Sequence, residues 1–241
     1  MIRGSVRPVS TALGIILVIA AVLVAGLLRD SLRTRAVTRW GRTHGFSDVP
    51  KPEHDNERLT AWAERFRPNS VSLWGIVLRG QTAGLETTIA EHQERRLSSK
   101  DRWHTLAVTR VPGLQIGAVR ITRAESPVGR RLTDAATAPG REVRDRLGIE
   151  VRERPVLHPV GQGKWVVEVV NDDALAFWSS DAQAVAIDAW AHDAELGAVD
   201  DYVLVRVPGL ITAGRLDDLL ACADAARAFF THAAARVSVN R

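Results

Sequence analysis

The sequence predicts an α+β protein: one apolar N-terminal helix, then a mostly antiparallel sheet with helices packed on one face. Three observations carry this. Residues Thr11 to Leu28 are uncharged and almost wholly apolar. Residues 71–123 hold several short strand-like stretches with short connections, the pattern of an antiparallel meander. The last third alternates strand, helix, strand, helix, which suits helices laid on a sheet.

The first element is a bilayer-spanning helix over 11–28, after a short tail of residues 1–10. Eighteen residues at about 1.5 Å each reach roughly 27 Å, close to the thickness of a hydrocarbon core. A core helix normally keeps a polar stripe, and this run has none. A cleaved signal peptide is the rival. The run is longer than the usual apolar region of such a peptide, and the triplet Val24-Ala25-Gly26 lies inside it without the A-x-A form. Ala21 and Ala25 form a small-xxx-small pair, so the anchor helix is a candidate surface for a homodimer.

Residues 29–45 continue the helix as a basic juxtamembrane segment. Leu32, Ala36 and Trp40 recur every four residues among arginines. Arg29, Arg33, Arg35, Arg39, Trp40 and Arg42 are the candidate membrane-surface residues, because Trp and basic side chains favour the headgroup layer. An ordinary positive-inside flank explains the same residues equally well. Two arginines precede the apolar run and five follow it, so the domain is expected in the cytoplasm of a single-pass cell-membrane protein. Gly41 and Gly45 read as breaks in the helix, and Pro50 and Pro52 as a turn.

Residues 46–241 are enough for one domain. A helix is expected over 53–67, with Leu59, Trp62 and Phe66 on one face and Pro68 ending it. Strands follow at 71–78, 85–90, 104–111 and 114–122, with a turn over Gly80 to Gly84. Residues 124–163 are rich in Pro and Gly, with a short helix possible over 141–147. A strand over 164–170, a helix from Ser180-Asp181 to His192, a strand over 201–207 and a long amphipathic helix over 215–235 complete the chain. Leu216, Leu219, Leu220, Ala223 and Phe230 form the buried stripe of the last helix. The pentad Arg110-Val-Pro-Gly-Leu114 recurs as Arg206-Val-Pro-Gly-Leu210, two strands ended by the same turn chemistry rather than a duplicated unit.

The net charge of +4 sits in the membrane flank: Arg29 to Arg42 holds five arginines and one aspartate, and Arg3 and Arg7 lie before the run. The remainder is net acidic, so the composition does not point to nucleic acid. Residues 102–154 hold eleven Arg against six acids, and residues 155–241 hold six Lys/Arg against twelve. These stretches are expected to neutralise each other; the alternative is an Arg-rich surface facing lipid or an acidic partner.

No motif assigns a reaction, and no catalytic, cofactor-binding or metal-binding residue is named. Gly161-Gln-Gly-Lys164 lacks the spacing and hydroxyl residue of a phosphate loop. The seven histidines show no ligand spacing, and the paired acids Asp172-Asp173 and Asp200-Asp201 read as loop acids. Ser180 fits a helix cap. Cys222 is the single cysteine, beside the apolar stripe of the last helix, and reads as a buried thiol. No small-molecule ligand is expected; the expected partners are the bilayer and a protein.

Trp40-Gly-Arg-Thr-His-Gly-Phe46, the line His104 to Leu114, the strand and helix from Trp165 to Trp190 and the strand–turn–helix from Tyr202 to Phe230 carry a resemblance. With the apolar helix and arginine flank, they make the chain similar to a group of uncharacterised actinobacterial single-pass membrane proteins. Residues 123–154 lie outside the resemblance. It implies a membrane-tethered domain of unknown activity and brings no catalytic residue. The leading expectation is therefore a non-enzymatic module that binds a protein partner or the inner leaflet. An extracytoplasmic envelope domain on an uncleaved signal anchor, and an enzyme with a dispersed site, remain the alternatives.

Overall fold

The computed structural model describes residues 7–50, 71–95, 102–114, 116–124, 156–160, 164–169 and 172–239. The helices are α1 (Arg7–Thr43), α2 (Asp172–Trp178), α3 (Asp181–Asp188) and α4 (Ala213–Val239). The strands are β1 (Ser47–Asp48), β2 (Val71–Thr82), β3 (Leu85–Arg95), β4 (Arg102–Arg110) and β5 (Val119–Arg123), then β6 (Val156–Val160), β7 (Trp165–Val169), β8 (Glu195–Val199) and β9 (Tyr202–Pro208). They form one nine-stranded sheet in the order β1-β2-β3-β4-β9-β8-β5-β7-β6. Every neighbouring pair is antiparallel, so the expected α+β class holds.

One row of side chains organises the helix-covered face. Leu78, Ile89, Ala107, Val205, Leu196, Ile121 and Val167 are successive cross-strand partners from β2 to β7. All seven are fully buried in the main core. Alternation along a strand puts every second residue on this face, and register carries the row across the sheet. Helix α4 covers it with Leu216, Leu219, Ala223, Ala226, Phe230 and Ala233, spaced three and four apart as a single helical stripe requires. Leu220, expected in that stripe, is half-buried at its edge. Trp178 of α2 is also fully buried and meets Phe230 edge to face at 5.6 Å.

Several elements differ from expectation. The meander holds for β2, β3 and β4, but β4 then pairs with β9, and β5 lies beyond β8. Strand β8 falls between the helix expected to end at His192 and the strand expected over 201–207, where no element is expected. Its residues Glu-Leu-Gly-Ala-Val are a weak period-2 signal, and pairing with β9 makes them a strand. Strand β6 and helix α2 were likewise unexpected. The helix expected from Ser180 to His192 ends at Asp188. Ser180 does sit at the N-cap position, yet its hydroxyl donates back to the Phe177 carbonyl at 2.7 Å. The helices expected over 53–67 and 141–147 lie outside the described residues.

Glycines explain two further differences. Strand β2 runs through Gly80 to Thr82, and the turn is only Ala83-Gly84, both with positive φ. Gly80 marks a close approach: a Cβ there would lie 2.6 Å from Phe46 Cγ and 2.9 Å from the Gly45 carbonyl oxygen. Gly80→Ala is expected to lower stability by about 1–3 kcal/mol, the usual range for overpacking, read as a lower urea midpoint at unchanged slope. An unchanged midpoint would remove the contact as the reason for the glycine. Gly41, read as a break, lies inside α1; Gly45 is the terminator. At φ 76° it lets the Phe46 N–H reach the Gly41 carbonyl at 2.8 Å, closing the helix in a Schellman turn.

Both pentads end their strands in a Pro-Gly turn, with φ 82° at Gly113 and 99° at Gly209. They lie on adjacent strands, since β4 and β9 pair directly.

Candidate functional site: the root of the anchor helix

Helix α1 has two halves with opposite surroundings. From Leu13 to Leu28 its large apolar side chains stand exposed and touch no core. Among the described residues it is the one helix long and apolar enough to cross a membrane. From Arg33 onward one face turns into the domain. Arg33, Val37, Trp40 and Gly41 form that face, at i, i+4, i+7 and i+8. Leu32 and Ala36 point away from it. A strict four-residue step drifts around a helix of 3.6 residues per turn, so the expected stripe of Leu32, Ala36 and Trp40 is not one face.

Trp40 is buried to 8% exposure. Its indole N–H donates to Asp217 Oδ1 of α4 at 3.0 Å, and its ring stacks on His44 at 4.3 Å. The ring is therefore packed into the domain rather than along the helix exterior. Val37 is fully buried in the main core. Arg29, Arg35, Arg39 and Arg42 are exposed, and they form the outward basic surface of the segment.

Arg33 is different. It pairs with Glu91 of β3, a carboxylate only 2% exposed, and donates to the Ile211 carbonyl at 3.1 Å. It also pairs with Asp30 one turn back, at 2.8 Å. Glu91 accepts the Ile76 N–H at 3.0 Å and the Ile211 N–H at 3.1 Å. One buried carboxylate thus joins the helix, strand β2 and the turn before α4. A register shift between Trp74 and Val77 in β2 makes the room. Gly75 sits in that shift, where a Cβ would fall 2.9 Å from Glu91 Cβ. Arg33, expected at the membrane surface, is instead fastened to the domain, and Glu91 is a site residue that the sequence does not announce. The available signal was a charge two residues beyond Ile89, on the same face of an otherwise apolar strand.

A second charged cluster lies on the opposite sheet face. Arg120 of β5 reaches Glu168 of β7 at 3.5 Å and Glu195 of β8 at 2.9 Å, and Arg206 of β9 reaches Glu195 at 3.1 Å. Burial works against the charge on Glu195, but the Arg120 and Arg206 guanidiniums outweigh it and hold the carboxyl down at about 2. Arg110–Asp201 at 2.7 Å and Arg123–Asp193 at 3.0 Å add two exposed pairs. All these arginines except Arg206 come from the basic stretch, and all the acids from the acidic one. Among the described residues the two stretches do neutralise each other.

Cys222 is buried, and burial pushes its thiol up to about 11, the opposite of a nucleophile's environment. Among the described residues no three His, Cys, Asp or Glu side chains converge as a metal site would require. Asp200 and Asp201 form the β8–β9 turn, with Asp200 at positive φ, while Asp172 and Asp173 begin α2 rather than a turn. Lys164 leads into strand β7, not a helix.

No protein-family model matches the chain, and no curated protein sequence matches it. Among solved structures, the chain is similar to the mycobacterial trehalose monomycolate transport factor A, TtfA. The identity is 15%, the match covers 79% of this chain and 89% of that chain, and the TM-score is 0.48.

Proposed function

We propose that the protein is a single-pass membrane-anchored module without catalytic chemistry. Its domain lies on the cytoplasmic face and binds a protein partner or the inner leaflet. The observation that carries this is the division of α1 into an exposed apolar half and a half built into the core. Eleven large apolar side chains between Leu13 and Leu28 stand exposed. At about 1.5–3 kcal/mol each, their removal from water is worth on the order of 20 kcal/mol, which favours a bilayer around this half. The continuous helix leaves no linker between span and domain.

The cytoplasmic side is supported by the excess of arginines after the span. Arg29, Arg35, Arg39 and Arg42 are the side chains suited to anionic headgroups. Each contributes about 1 kcal/mol near such a surface. Arg33 and Trp40 already have partners in the domain.

Full-length protein carrying C-terminal fluorescent-protein or alkaline-phosphatase fusions tests the placement. Fluorescence without phosphatase activity is expected. Phosphatase activity without fluorescence overturns it and moves the domain to the envelope side. In reconstituted full-length protein, changing the four exposed arginines to Gln is expected to weaken energy transfer from the native tryptophans to a labelled anionic lipid. Equal transfer removes the leaflet role of the flank.

A further inference from the structure

The contacts along α1 give the domain a direction relative to the helix axis. Arg33 meets Glu91 and Ile211, whereas Trp40 meets Asp217, and Gly41 lies against Leu78. Moving away from the apolar run, the domain is therefore met at Ile211 and then Asp217. On β2 it is met at Ile76, through Glu91, and then Leu78. Chain positions just before 211 and 76 consequently lie on the side of the apolar run.

The sheet register extends this across the strands. Glu91 pairs with Thr105, and Thr105 with Val207. Trp103 lies two residues further toward the run, paired with Gln93, a distance of about 7 Å along a strand. Arg33 to Leu28 is about 7.5 Å along the helix. The Pro208–Ile211 turn is fastened at the same end: the Gly209 N–H donates to the Trp103 carbonyl at 2.8 Å, and Thr105 Oγ1 donates to the Gly209 carbonyl at 2.9 Å. Among the described residues, Leu210 at the head of this turn is one of the few large apolar side chains exposed outside α1, at 36%. Trp103 beside it is half-buried.

We infer that this end of the sheet, with Trp103 and Leu210, is seated in the boundary between headgroups and acyl chains of the bilayer that α1 crosses. The occupant is lipid, because the exposed apolar half of α1, ending at Leu27 and Leu28, lies only about 7.5 Å along the helix from Arg33, the level at which this end of the sheet is fastened. A half-buried Trp beside an exposed Leu also suits a zone that is apolar on one side and wet on the other. The inference rests on the anchoring proposed above.

The test uses the full chain in vesicles containing nitroxide lipids, spin-labelled either near the headgroup or deep in the acyl chain. An environment-sensitive fluorophore is attached at Leu210→Cys, Val18→Cys or Thr231→Cys. The native Cys222 is buried with its thiol held protonated, so the unmodified chain serves as the labelling blank. Thr231 is exposed near the far end of α4. Expected are quenching at 18 by the deep lipid and quenching at 210 by the shallow lipid at least twofold above that at 231. Quenching at 18 with position 210 no stronger than 231 overturns the seating and leaves the anchor standing. No quenching at 18 overturns the anchor and the seating with it.

Discussion

Glu91→Ala is expected to destabilise the domain by about 3–5 kcal/mol, the cost of breaking a buried ion pair from one side. Three donors lose the same acceptor at once: the N–H groups of Ile76 and Ile211, and the Arg33 guanidinium, which keeps Asp30 and the Ile211 carbonyl. Denaturant unfolding of the full chain in micelles, followed by tryptophan fluorescence, measures the effect. Arg33→Met alone leaves the carboxylate buried with two amide donors and is expected to cost less. The double variant Arg33→Met/Glu91→Ala is expected to recover only part of the loss, because the two amides remain without their acceptor. Full recovery would mean that the ion pair alone matters and that the amide bonds are incidental. A loss below 1 kcal/mol for Glu91→Ala would dismiss the buried carboxylate as a fastening.

Arg120→Met is expected to cost up to about 3–5 kcal/mol at neutral pH, since it removes the buried cation shared by Glu168 and Glu195 and leaves Glu195 with Arg206. Its signature lies in acid. An ordinary glutamate titrates near 4.3, and Glu195 in the folded protein is held at about 2. A carboxyl depressed by folding contributes stability that is complete above its unfolded value and is lost as pH falls toward its folded value. The parent protein should therefore lose on the order of 2 kcal/mol from this group between about pH 5 and pH 2, discounted for its partial exposure. Arg120→Met relaxes Glu195 toward its ordinary value and flattens that acid limb. The gap between parent and variant should narrow from pH 7 to pH 2.5. Parallel acid limbs in the two proteins would show that Arg120 does not set the titration of Glu195.

The sequence made the apolar half of α1 and the stripe of α4 legible because each is a long periodic signal. Leu216, Leu219, Ala223 and Phe230 hold one face through several turns, and short-range pattern suffices. The same reasoning reached β2, β3, β4, β7 and β9. It failed at β8, where Glu-Leu-Gly-Ala-Val has little strand propensity and pairing with β9 decides the conformation. It failed again on strand order, because nothing local in β4 announces that its partner is β9, some ninety residues later.

At the site, exposed arginines were legible as a charge run. The inward turn of Arg33 and Trp40 was not, because a partner on another element determines which face of a charged helix is covered. Glu91 was hidden for the same reason. A lone glutamate in a strand reads as a solvent-facing residue until register puts it beside Ile89 on the helix side.

The continuity of α1 through Gly41 to the terminating turn at Gly45 makes span and domain one mechanical lever. The domain grips its last three turns through Val37, Trp40 and the Glu91 fastening. With the apolar half in a bilayer, a spanning helix tilts when the membrane thins, by amounts that commonly reach 20° or so. Here no flexible joint absorbs the tilt, so the whole sheet swings with it. Membrane thickness then sets the angle at which the domain is presented. Inserting a few glycines at the lipid end of the flank, near Arg29, would uncouple the two, whereas cutting the chain at residue 44 would remove part of the core itself.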